Sequence, residues 1–283
     1  MRKKEYFCGW YFKCQSEEES IALIPAVHIS RGKQTGSIQF ISGKENWNFD
    51  LPGERIQIRK DRPYAALGAN TFSEEGVYLD LHQDSLSATG VLQFGRPSAI
   101  RFDIMGPFCC LPFMECRHSV FSMHHEVDGW LQVNERCYRF EKGTGYIEGD
   151  RGRSFPSRYM WTQCCFEEGA LMLAAAEIPV GPAHFTGVIG IVQLRGKEYR
   201  LATYLGARVL KIRDREVTVR QGDLTMTAEL LDHHACLLRA PANGSMTRTI
   251  RENVACRARY RFCRRNQVLL DFETSKASFE FEY

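Results

Sequence analysis

Glu148 and Asp150 stand two residues apart near the middle of the chain, in Gly143-Thr-Gly-Tyr-Ile-Glu-Gly-Asp-Arg-Gly-Arg-Ser-Phe-Pro-Ser157. Two carboxyls at that spacing can divide proton chemistry between them, one giving or taking the proton and the other orienting it, provided both face a pocket. Plain turn chemistry is the rival reading, since Gly149-Asp150 beside Gly152 is an ordinary loop sequence. Glu115 and His118 form a second candidate acid and relay. They lie in the apolar run Ile104-Met-Gly-Pro-Phe-Cys-Cys-Leu-Pro-Phe-Met-Glu-Cys-Arg-His118. Desolvation among Phe113, Met114 and Cys116 would disfavour a charged carboxyl there and keep it protonated near neutral pH. Pairing with Arg117 or Arg153 would instead make Glu115 structural. Tyr146, Phe155, Tyr159 and Trp161 lie in or just after the central stretch and offer an apolar wall and a negative ring face towards a cation.

Other chemistries find little support. The chain shows no Ser/His/Asp order with a nucleophile elbow, no P-loop and no dinucleotide fingerprint, because Gly143-Thr-Gly is a lone fragment with no helix behind it. Cys116-x-His118 and His124-His125 fall short of a metal motif, so neither a metal nor a cofactor is expected. The eleven cysteines include the adjacent pairs Cys109-Cys110 and Cys164-Cys165 but no CxxC spacing, which suits reduced thiols in the cytoplasm. A net charge of +3 is too small to argue for nucleic acid. Glu5, Lys13 and the run Glu17 to Glu19 interrupt any export signal, and no apolar run nears the roughly 18 residues that span a bilayer. A soluble protein with at most transient membrane contact is expected, its oligomeric state open.

What must position these groups is a β fold. A chain of 283 residues, 44% hydrophobic and 25% charged, is globular in composition. Short alternating runs rich in Val, Ile, Tyr, Phe and Thr recur along it with Gly, Asp or Asn between them. Hairpins are expected at Asp128-Gly129, Gly196-Lys197 and Asp214-Arg215. The glycines of 143–157, followed by Pro156, predict a shaped loop.

The second half repeats the first. Trp10-Tyr-Phe-Lys-Cys14, Glu17-Glu18 and Ile24-Pro25 answer to Trp161-Thr-Gln-Cys-Cys165, Glu167-Glu168 and Ile178-Pro179. Ile38-Gln39-Phe40 with Gly43-Lys44-Glu45 parallels Val192-Gln193-Leu194 with Gly196-Lys197-Glu198, and Ile56–Asp61 parallels Leu210–Asp214. Matches in one order and similar spacing predict a tandem of two related antiparallel units, residues 1–142 and 158–283, joined by the loop 143–157. Each unit is read as a β-barrel of about eight strands, the number that encloses one small ligand. A pair of β-sandwiches is the alternative.

Tyr6-Phe-Cys-Gly-Trp-Tyr-Phe-Lys13, Met105-Gly-Pro-Phe108, Leu111-Pro-Phe-Met-Glu-Cys116, Gly145-Tyr-Ile-Glu-Gly-Asp-Arg-Gly-Arg-Ser-Phe-Pro156 and Tyr199-Arg-Leu-Ala-Thr-Tyr204 together resemble the tocopherol cyclase family, over nearly the whole chain. The resemblance implies two lipocalin-like β-barrel units, as in the related carotenoid hydratase-like proteins. It implies a lipophilic small-molecule partner, a prenyl quinol or similar, and acid chemistry of an intramolecular lyase or isomerase kind. An alkene is protonated, the tertiary cation is stabilised and an oxygen nucleophile traps it. On this resemblance Asp150 or Glu148 is the donor or orienting carboxylate, with Glu115 and His118 in support. Trp10, Tyr11, Tyr146, Arg151 and Trp161 contact the substrate. The chain departs from the family pattern at Cys8, where an acid is usual, and at Arg151, where a tryptophan is usual. A non-catalytic lipocalin-like carrier of hydrophobic molecules is the alternative to an enzyme.

Overall fold

The computed structural model describes residues 5–43, 45–51, 55–83, 86–111, 114–180, 183–232 and 235–283; Lys44, Pro112 and Phe113, named above, lie outside them. Residues rich in β-branched and aromatic side chains with period-two alternation bury one face as strands, and strand follows strand through tight turns. The first sheet takes eleven strands: β1 (Tyr6–Gln15), β2 (Ser20–Ser30), β3 (Lys33–Ser42), β4 (Asn46–Leu51), β5 (Ile56–Ile58), β6 (Tyr64–Leu67), β7 (Asn70–Ser73), β8 (Gly76–Gln83), β9 (Leu86–Phe94), β10 (Cys116–Val133) and β11 (Arg136–Gly152). The second takes β12 (Tyr159–Phe166), β13 (Gly169–Val180), β14 (Ala183–Leu194), β15 (Lys197–Ala202), β16 (Arg208–Arg213), β17 (Glu216–Gln221), β18 (Leu224–Leu230), β19 (Cys236–Ala242), β20 (Ser245–Arg264) and β21 (Gln267–Glu282). Pairing runs β4-β3-β2-β1-β11-β10-β9-β8-β7-β6-β5 in one and β15-β14-β13-β12-β21-β20-β18-β17-β16 in the other, with β19 also on β20.

The fold is all-β and antiparallel, but neither sheet closes into the expected barrel. Among the described residues β4 does not pair with β5, nor β15 with β16, and these edge strands are short, which blunts them as edges. Each sheet folds over a core of its own instead, which is the sandwich alternative. Phe12, Leu23, Phe40, Phe72, Leu131 and Tyr138 meet in the first core, and Met160, Leu173, Val192, Met226, Tyr260 and Phe279 in the second. A third core joins the sheets through Tyr11, Met105, Val120, Tyr146, Trp161, Met172, Leu238 and Ile250.

The repeat is a repeat of topology. In each sheet a four-strand meander (β1 to β4, β12 to β15) leads away from a long terminal hairpin (β10–β11, β20–β21), and β5 and β16 end the two orders. Trp10 and Trp161 are nevertheless one residue out of register. Phe12 and Cys14 enter the first core and Met160 and Cys164 the second, whereas Tyr11 and Trp161 face the other sheet. A slip of one residue turns every side chain over, so the structural counterpart of Trp161 is Tyr11.

Two local expectations are corrected. Gly143 to Gly152 is not loop but the second half of β11, paired with β1 and β10 on either side; only 153–158 crosses between the sheets. The close approach of Trp10, whose ring would lie 2.6 Å from a Cβ on Gly149, explains that glycine better than a bend does. Asp128-Gly129 is not a hairpin turn. With β9 and β11 both bonded to β10, the ladder continues, and Gly129 (φ 123°) takes a bulge while the chain reverses at Asn134 (φ 51°). The hairpin expected at Gly196-Lys197 forms one residue earlier, on Arg195 and Gly196 at φ 51° and 74°, and Asp214 and Arg215 turn at φ 55° and 62° as expected. No helix among the described residues is long and apolar enough to cross a membrane.

Candidate active site between the sheets

A cavity of about 170 Å³ lies within the third core. It is of the order of cavities that hold a single aromatic ring. Tyr11, Trp161, Phe7 and Ile189 contribute apolar wall; Met105, Phe108 and Met114, from the apolar run ahead of β10, cover it, and Phe155 and Pro156 of the crossover close another side.

Strand alternation brings the first set of polar groups to this cavity. Tyr146, Glu148 and Asp150 occupy one face of β11, and the β10–β11 register sets His118 opposite Asp150. His118 Nδ1 lies 3.0 Å from Asp150 Oδ1, and Nε2 lies 3.2 Å from Glu148 Oε2 in an ion-pair contact without hydrogen-bond alignment. Burial alone would lower the His118 pKa, but the charges of Glu148 and Asp150 and the hydrogen bond with Asp150 outweigh it and raise it well above the usual value, which favours the imidazolium at neutral pH. Tyr146 donates to Glu148 Oε2 at 2.5 Å and Trp161 Nε1 donates to the same oxygen at 3.1 Å. Cys116 donates to Asp150 at 3.3 Å. His118, Glu148 and Asp150 offer donor atoms within 4.8 Å of one another, the one grouping among the described residues with the spread of a metal site. Here the imidazolium already neutralises part of the carboxylate charge.

The second set comes from the other sheet. Glu252 on β20 is the register partner of Glu280 on β21, which is in turn the partner of Trp161 on β12. Both carboxyls line the cavity and both are buried, Glu252 to 1% exposure. Tyr159 donates a short hydrogen bond to Glu280, and Tyr11 lies against Glu252, whose Oε1 has no hydrogen-bond partner. Burial raises Glu252 to about 7 against the pull of Tyr11, and burial followed by the charge of Glu252 raises Glu280 well above the carboxylate range. Sequence reasoning missed these two. A signal existed: Ile250, Glu252, Val254 and Cys256 share the buried phase of β20 while Arg251, Arg257 and Arg259 take the exposed one.

Of the residues expected at the site, Glu148, Asp150, His118, Trp10, Tyr11 and Trp161 line the cavity. Tyr146 stands behind Glu148 as its donor. Glu115 does not line the cavity; its carboxylate meets Arg153 at 2.5 Å, the structural pairing. Arg151 lies on the opposite face of β11 from Asp150 and donates to the Lys60 carbonyl at 2.9 Å and to Ser119 at 3.3 Å.

A family model described as tocopherol cyclase-like matches residues 82–281. The chain belongs to the tocopherol cyclase-like family. Among curated protein sequences no significant match is found. Similar solved structures include a protein assigned as an AttH from Nitrosomonas europaea (11% identity, TM-score 0.56, covering 99% of this chain and 93% of that one). They include kievitone hydratase from Nectria haematococca (9%, TM-score 0.55, 98% and 89%) and CghA solved with Sch210972 (10%, TM-score 0.60, 98% and 88%). At these identities the likeness shows a shared fold, which the tocopherol cyclase-like chain keeps over nearly its whole length.

Proposed function

We propose that this family member is an enzyme that carries out acid-initiated cyclisation, hydration or isomerisation of a prenylated or otherwise lipophilic substrate in the cavity between the sheets. The observation that carries the reading is a carboxylate, Glu148, set in an aromatic cavity with its own positioning donors. A cation formed beside it meets Glu148, the ring faces of Tyr11 and Trp161 and little water, so charge that develops in the reaction is stabilised without solvent reorganisation. Asp150 fixes the His118 ring, His118 and Tyr146 fix Glu148, and Trp10 supports the wall from behind Gly149. A cavity sized for one ring encloses the reacting head and leaves a longer chain to pass out between the sheets. The name of kievitone hydratase, a fold neighbour, supports the hydration variant. The eleven cysteines are free thiols, in keeping with a cytoplasmic setting. We take residues 6–152 and 159–282 as the two units of the tandem, meeting at the site.

Incubation of the purified protein with prenyl quinols and simple terpenoid alkenes, followed by mass spectrometry, tests the reading. Conversion that falls in Glu148→Gln and Asp150→Asn is expected. Retention of the ligand with no conversion in any case would leave a carrier and sink the enzyme.

A further inference from the structure

We propose that Glu252 and Glu280 form a carboxyl pair that holds one proton between them at neutral pH, and that this pair, on the wall opposite Glu148, is the acid that protonates the substrate. The inference rests on the reading above and names the residue class it leaves open, the proton source. Three observations converge on the pair. The two glutamates are direct cross-strand partners on the last hairpin, so their carboxyls share one small space. Both line the cavity, and no donor among the described residues satisfies Glu252 Oε1, as befits a carboxyl oxygen set against a second carboxyl. Tyr159 anchors Glu280 and Tyr11 lies against Glu252, which holds the pair in place.

Two buried carboxyls in contact cannot both ionise at neutral pH without strong repulsion, and they titrate as a unit. Charged and titratable neighbours face the pair from every side: Tyr11 and Lys13 on β1, Glu148 and Asp150 on β11, Tyr159 on β12 and Cys236 on β19. Glu148 and Asp150 disfavour its ionisation, and Lys13, whose own charge is disfavoured by burial, favours it. In the reaction the carboxyl O–H of Glu252 breaks, its proton forms a C–H bond with the alkene's π electrons, and a tertiary cation is left facing Glu148. The lone pair of the substrate hydroxyl, or of water, then forms the C–O bond, and the oxygen's proton returns to the Glu252 carboxylate. Atoms and charge balance with no further reactant.

A tertiary amine carrying a prenyl chain imitates the cation and provides a test that needs no turnover. Calorimetric titration with that amine in buffers of different ionisation enthalpy should show about one proton released on binding at neutral pH, as the pair ionises to meet the cation. Release should fall in Glu252→Gln and in Glu280→Gln and vanish in the double variant, while conversion of any substrate should drop roughly 10²- to 10⁴-fold in Glu252→Gln. Glutamine keeps the size and an acceptor oxygen, and the double variant repeats the comparison should either single change disturb the fold. Amine binding without proton release, or an unchanged rate in Glu252→Gln, overturns the pair as acid while the enzyme reading stands. Proton release with no substrate converted upholds the pair and sinks the enzyme reading. Neither binding nor conversion sinks both.

Discussion

Glu148 and Glu280 occupy the same place in the two sheets and are held in opposite ways. Each sits on the last long strand of its sheet, beside an aromatic residue of the first strand: Tyr11 for Glu148 and Trp161 for Glu280. The two aromatics meet edge-to-face with centroids 5.5 Å apart, and each reaches across to the other sheet's acid. Trp161 donates to Glu148, and Tyr11 lies against Glu252. What differs is the next strand. β10 sets a histidine beside Glu148, and β20 sets a second glutamate beside Glu280. A duplicated frame thus acquires a counter-charged wall and a proton-holding wall through its neighbours: Val120 stands opposite Glu148 with His118 two residues before it, whereas Glu252 stands opposite Glu280.

The largest effect expected from this difference is in stability. Glu148→Gln removes one partner of a buried ion pair and leaves the His118 imidazolium to Asp150 alone, which should cost about 3 kcal/mol. Glu280→Gln replaces a buried acid with a neutral group of the same size and should be neutral or stabilising at pH 7. Chemical denaturation of the two variants side by side checks the contrast, and equal losses would erase the distinction between the walls.

A somewhat smaller effect separates the walls by pH. Glu252 titrates near 7 in the folded chain against an ordinary 4.5. The unfolded chain therefore gives up that proton first, and the Glu252 contribution falls as pH rises from about 4.5 to about 7; Glu280, raised in the same direction, adds to the fall. The Glu252 part is about 3 kcal/mol at most. His118 is raised as well, so its contribution is complete below its ordinary 6.5 and is lost only as pH climbs through a value well above that. Denaturation curves taken across this range should fall less steeply between 4.5 and 7 in Glu252→Gln, keeping the part that burial of Glu280 contributes, and leave the loss at higher pH intact. A variant curve parallel to the wild type's would show that Glu252 is an ordinary carboxylate.

The β class and the tandem were legible because each rests on local pattern: period-two alternation and a repeated order of strands; the nearness of Glu148 and Asp150 was legible from their spacing, but the strand face they share was not, because the stretch reads as a loop. Sheet closure was not legible, since alternation is the same in an open and a closed sheet. Nor was the loop-like reading of Gly143 to Gly152 avoidable from composition, because a glycine that admits the Trp10 ring looks the same as one that bends the chain. Glu252 and Glu280 lie 28 residues apart in sequence and meet Glu148 only through packing of one sheet on the other. Their one local trace was phase, an acid on the buried side of β20.

The smallest effect concerns Arg151, which a sequence reading places against the substrate. On β11 it alternates with Asp150, so its side chain leaves the opposite face and donates to Lys60 and Ser119. A guanidinium there does not line the cavity and makes its hydrogen bonds away from it. Arg151→Met loses two hydrogen bonds at a partly exposed site and should cost at most about 1 kcal/mol, with affinity for the prenyl amine unchanged within about twofold. A tenfold change in that affinity would mean that the field of Arg151 crosses the sheet, and the chemistry would then depend on both faces of β11.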